Sequence, residues 1–153
     1  MNKRGSIYII ASIVFLFDQL IKNCVNNIMN LYDKIKIIPG FFQIYFVKNT
    51  GAAFSIFKDN TLFIILITVV FIAFLYNYIK KERQFTKISI LSLGMILGGI
   101  LGNLLDRIIY HSVIDYLSFS FFKVDFPIFN LADIAITLGV FIMLFENIFF
   151  KNK

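Results

Sequence analysis

Four apolar runs of about twenty residues each, at residues 6–25, 61–79, 88–107 and 131–150, restrict what this chain can become. An all-helical crossing of the hydrocarbon layer needs about 20 residues. Lipid offers no hydrogen bonds, so the backbone must satisfy itself as helices or closed barrels. The pattern predicts an all-α membrane protein with four transmembrane helices. Of the 153 residues, 59% are hydrophobic, against roughly 45–50% in an ordinary soluble domain. One domain, residues 1–153, is expected from this length. The net charge of +6 gives no reason to expect nucleic acid, because Lys and Arg gather beside the spans and read as topology signals. Cys24 is the only cysteine and His111 the only histidine. They exclude an intrachain disulfide and argue against a Cys- or His-based metal site, so neither metal nor cofactor is expected.

Lys3 and Arg4 precede the first run as they would a signal peptide, but no small-x-small cleavage site follows. A retained helix is expected. Residues 34–57 have a different character. Ile35/Ile37 and Phe42/Ile44/Phe46 alternate around Pro39-Gly40, which predicts a β-hairpin. Open strands cannot cross lipid, so a small extracytoplasmic sheet is expected at the membrane surface. It leads into Asn49-Thr-Gly51-Ala-Ala-Phe54-Ser55. The small residues there suit close approach of an extended peptide, and they equally suit a plain tight turn.

Four spans put both termini on one side. Lys3, Arg4, Lys80, Lys81, Arg83, Lys87, Lys151 and Lys153 share that side in short, dense segments. The positive-inside rule makes it the cytoplasmic one. Asp18, Asp106, Asp115 and Asp133 then all fall near the outer face.

Acids are expensive in a membrane setting, and each is a candidate functional group. Asp18 and Lys22 are four apart on one helix face and can form a local ion pair with Lys22 snorkelling to the interface. Asn103, Asp106 and Arg107 share a face at the outer end of the third run, as a buried packing network would; Arg107 could also neutralise Asp18. Gly94, Gly98 and Gly102 repeat at the spacing of closely packed membrane helices. Asn130 and Asp133 fit the N-cap and N3 positions of the fourth helix. Asp115 lies in Val113-Ile-Asp-Tyr-Leu-Ser-Phe with no basic neighbour, in a stretch that reads as extended or irregular. No His-Glu-x-x-His, Ser-x-x-Lys or Gly-x-Ser-x-Gly motif is present. Acid–base chemistry by carboxylates remains. Two acids at close range share one proton, so one can take a proton from water while the other polarises a carbonyl. Asp115 and Asp133 are the expected pair.

These motifs in order resemble the lipoprotein signal peptidase (signal peptidase II) family over nearly the whole chain. They are Asp18-Gln-x-x-Lys22, Asn49-Thr-Gly-Ala-Ala-Phe-Ser55, Gly98-Gly-x-x-Gly-Asn103-x-x-Asp106-Arg107, Val113-x-Asp115-Tyr and Phe129-Asn130-x-Ala-Asp133. The resemblance implies an aspartic endopeptidase of the bacterial cytoplasmic membrane. Its substrates would be diacylglyceryl-modified prolipoproteins held in membrane lipid and cut just before the modified cysteine. It implies Asp115 and Asp133 as the catalytic dyad, with Asp18, Asn49, Gly51, Asn103, Asp106, Arg107 and Asn130 supporting the site or substrate. Tyr116, His111-Ser112 and Ile134 depart from the residues commonest in the family. A proton- or ion-coupled transporter, with acids strung along several spans, and a non-catalytic membrane scaffold are the alternatives.

Overall fold

The computed structural model describes residues 3–51, 60–82, 84–122 and 124–149. Four helices are long and apolar enough to cross a membrane: α1 Lys3–Ile28, α2 Thr61–Lys81, α3 Lys87–Tyr110 and α4 Leu131–Phe149. Strands β1 Lys34–Ile38 and β2 Phe42–Asn49 lie between α1 and α2; β3 Val113–Phe121 and β4 Val124–Asp125 lie between α3 and α4. Helix α1 outruns the expected 6–25 at both ends. At its start Lys3 Nζ donates to Phe85 O at 2.8 Å and Arg4 donates to Glu82 O at 2.9 Å. These bonds tie its first turn to the α2–α3 connection. Residues 52–57 of the expected β-segment, Arg83, and residues 150–153 lie outside the described residues.

The strands form one antiparallel sheet in the order β1-β2-β3-β4. Gly40 turns the β1–β2 hairpin at φ +74°, a left-handed conformation that favours glycine. The stretch around Asp115 is the third strand, pairing Val47 with Asp115 and Asn49 with Val113. Its first residues are buried on both faces, so no in-out alternation marks it as a strand. Val25, Met29, Phe46, Ile114 and Tyr116 form the core between this sheet and the end of α1.

Helix α3 lies between α1 and α4, and its glycines explain how. Gly94 meets Ile10, Gly98 meets Ala11 and Val14, and Gly102 meets the Asp18 carboxylate, all on α1. Gly99 faces the other way, onto Ala132 and Ile136 of α4. Missing side chains let the backbones approach, which is how helices gain contact in lipid. At the end bearing the chain termini, Thr86 caps α3 in a box with Ser89 and its hydroxyl donates to the buried Glu146 of α4. At the sheet end, α3 stops at His111 in a left-handed conformation (φ 54°) and turns straight into β3.

Candidate active site

The site grows from the first turn of α4. A helix start leaves backbone N–H groups without internal partners. Here Asn130 N donates to Asp133 Oδ2 at 3.2 Å and Asp133 N donates back to Asn130 Oδ1 at 3.0 Å. This reciprocal pair is the capping arrangement expected from Asn130 and Asp133. Leu131 N donates to the Tyr116 hydroxyl at 3.2 Å, and Ala132 N to Asp18 Oδ1 at 3.0 Å. The Tyr116 hydroxyl thus serves the helix start.

Just before that turn, Tyr116 N and Leu117 N both donate to Phe129 O, at 3.1 and 2.8 Å. This lays the chain against β3 and puts Asn130 beside Asp115. Asn130 Nδ2 donates to Asp115 Oδ1 at 2.7 Å, while Asn49 Nδ2 donates to Asp115 Oδ2 at 3.1 Å. Asn103 Nδ2 donates to Asp133 Oδ1 at 2.8 Å. The two asparagines are joined, Asn130 Nδ2 reaching Asn103 Oδ1 at 3.1 Å. Asp115 and Asp133 therefore share one small network, and Asn130 is bonded to both. Among the described residues no cation forms an ion pair with either acid.

The ion pairs lie one layer deeper. Lys22 is 1% exposed, and its Nζ lies 2.9 Å from Asp18 Oδ2 and 2.9 Å from Asp106 Oδ2. The expected Asp18–Lys22 pair is present. Lys22 does not snorkel; two carboxylates hold it inside the bundle, as the cost of burying a charge requires. Among the described residues Arg107 forms no ion pair with Asp18 or Asp106. Its guanidinium donates to Gly51 O at 2.9 Å and Asn103 O at 3.3 Å, so it fastens the end of the hairpin to α3. Gly51 N donates to Asn49 Oδ1 at 2.9 Å, orienting the amide that faces Asp115. Ala52 to Ser55 of the same motif lie outside the described residues.

Sequence reasoning missed the reach of Lys22 and the part played by Gln19, whose Nε2 donates to Asp106 Oδ1 and Gly102 O, each at 3.1 Å. Both occur in the Asp18-Gln-x-x-Lys22 motif, but their partners on α3 are more than eighty positions away. No local pattern carries that distance.

The two acids differ in environment. Asp115 is 2% exposed, whereas Asp133 is half-buried. Burial, and next the charge of Asp133, push the Asp115 carboxyl up to about 7; hydrogen bonds from Asn49 and Asn130 and the charge of Lys22 oppose this. A buried acid of raised pKa beside a more open one is an arrangement fit for sharing a proton.

A family model described as signal peptidase (SPase) II, peptidase family A8, matches residues 10–149. The lipoprotein signal peptidase of Maridesulfovibrio salexigens is 39% identical over 158 aligned positions that take in 100% of both chains. A bacterial membrane enzyme solved in meso at 2.3 Å superposes with a TM-score of 0.87 at 31% identity, over 94% of this chain and 88% of its own. A second such structure, at 1.9 Å, gives 0.85 at 31% identity over 95% and 94%.

Proposed function

The chain belongs to the signal peptidase II family of membrane proteases, and from that premise we propose that it cleaves diacylglyceryl-modified prolipoproteins by an aspartic mechanism centred on Asp115 and Asp133. The observation that carries the reading is the shared network: Asn130 bonds both carboxylates, and the buried cations bond other groups. Asp115, with its carboxyl at about 7, keeps the proton and donates it toward the scissile carbonyl. Asp133, half-buried in the first turn of α4, is the base that takes a proton from water. Water attacks the carbonyl carbon to give a gem-diol; Asp133 then passes its proton to the leaving amine, and the gem-diol hydroxyl returns a proton to Asp115 as the peptide bond breaks.

Asn49 and Asn130 hold Asp115, and Asn103 holds Asp133. Gly51, drawn in by Arg107, offers a side-chain-free approach for an extended peptide. Asp18 and Asp106 stabilise the frame. No cofactor is called for by this donor set. The sheet end is the outer face of the membrane and both termini are cytoplasmic, because dense basic segments flank the other end. The cut then falls where the signal helix leaves the bilayer while the acyl chains of the modified cysteine stay in lipid. The transporter reading needs acids spread along the span. Asp18, Asp106, Asp115 and Asp133 instead gather at one end, and Glu146 at the other end is engaged by the cap of α3.

The test is cleavage of a diacylglyceryl-modified precursor by purified protein in lipid nanodiscs. D115N and D133N are each expected to lose at least about 1,000-fold in kcat while remaining folded and inserted. Retained turnover in either variant would overturn the assignment.

A further inference from the structure

Lys22 has no part in the proton transfers above, yet its ammonium group is the point where three lines of bonds meet. One runs to Asp18 Oδ2 at 2.9 Å, and Asp18 Oδ1 accepts from Ala132 N, the amide just before Asp133. The second runs to Asp106 Oδ2 at 2.9 Å, which accepts from Ile114 N at 3.1 Å, the amide just before Asp115. The third donates to Asn103 Oδ1 at 2.9 Å. With that oxygen turned to Lys22 and Asn130, the Asn103 NH2 is left to face Asp133.

We propose that Lys22 is the positioning residue for both aspartates, fixing through Asp18, Asp106 and Asn103 the backbone on the N-terminal side of each acid and the amide that faces Asp133. This rests on the peptidase reading above. An ammonium with three donors suits three fixed acceptors, and holding reacting groups in place is a large part of what an active site supplies. Lys22 is a full layer from the reacting atoms and touches neither Asp115 nor Asp133.

The role has an electrostatic signature. Among the described residues, the charged groups acting on Asp115 are Asp133 on α4, Lys22 on α1 and Arg107 on α3; Tyr116 on β3 is its titratable neighbour, Asp18 and Asp106 flank Lys22, and β2 supplies Asn49. The charge of Lys22 lowers the Asp115 carboxyl. Removing it moves the upper limb of the pH profile, where the shared proton is lost, to higher pH.

The experiment compares wild type, K22M and D18N/K22M in nanodiscs with the lipidated precursor, reading kcat, KM, pH profile and thermal melting. K22M leaves two formal negative charges in the cluster. D18N/K22M restores the wild-type formal charge of one negative and keeps an acceptor for Ala132 N, so it supplies a folded variant should K22M fail to fold. The expected result in both variants is a fall in kcat of about 100-fold with KM within about threefold, and in K22M, whose lost charge is not compensated, the upper limb displaced upward by about half a pH unit or more. A folded variant with kcat near wild type and an unmoved limb would overturn the proposal. So would a variant that raises KM alone, since that assigns Lys22 to substrate binding. Run alongside, inactive D115N and D133N with active Lys22 variants sink this inference only; active D115N or D133N sink the peptidase reading itself.

Discussion

Asp115 carries a cost that its neighbours on β3 do not. The folded chain holds its carboxyl proton up to about pH 7, against an ordinary value of 3.8. Between those values the folded state binds the extra proton. Stability from this group is fully present at the acid end and is lost as pH rises toward 7. An asparagine there has no proton to lose. D115N is therefore expected to gain on wild type by ~2 kcal/mol between about pH 5 and pH 8, measured as the gap between their unfolding free energies. A gap that does not widen with pH would place the raised acid elsewhere. Sites tuned for proton transfer commonly carry such a penalty. The sequence exposed Asp115 as an acid without a local cation. Through the family resemblance it named Asn49 and Asn130 as supporting residues, but not that both amides, from β2 and from the cap of α4, converge on this one carboxyl.

At the scale of elements, α3 is the piece on which the others are mounted. Its Gly94-Gly98-Gly102 face was legible, because a four-residue repeat of small residues in an apolar run has a known packing use. Its partner was not legible, nor was the opposite role of Gly99 one residue on. A methyl group at Gly98 would sit 2.5 Å from Ala11 O and 2.8 Å from the Val14 side chain. G98A is expected to cost about 1–3 kcal/mol by forcing α1 from α3, seen as a lowered melting temperature. Turnover should fall with it, since α1 carries Asp18 and Lys22. A variant that melts like wild type would show that α1 can shift without strain. The β1–β2 hairpin was also legible from Pro39-Gly40 and alternation. Strand β3 was legible only as an extended or irregular stretch, because burial of its first residues on both faces weakens the alternation on which such reading depends.

For the molecule as a whole, the spans, the sheet and the charge pattern predict an orientation that can be tested. Reporter fusions or thiol labelling should place both termini in the cytoplasm. A cysteine introduced at the exposed Phe122, in a Cys24→Ser background, should react with an impermeant reagent from outside intact cells. Labelling of Phe122→Cys only after the membrane is opened would invert the topology and put the acids on the wrong side for a secreted precursor.

Sequence alone determined the four spans, the surface hairpin, the capped start of α4 and the gathering of the acids at one end. Each follows from local rules: the length needed to cross lipid, alternation around a turn, a side chain reaching its own helix start, and charges beside spans. Tertiary structure decided the rest. It gave Lys22 to Asp18, Asp106 and Asn103 instead of the interface, sent Arg107 to Gly51, and joined Asp115 to Asp133 through Asn130 and Asn103. Those pairings depend on which buried donors and acceptors come within about 3 Å of one another once the helices close, and separation along the chain holds no record of that distance.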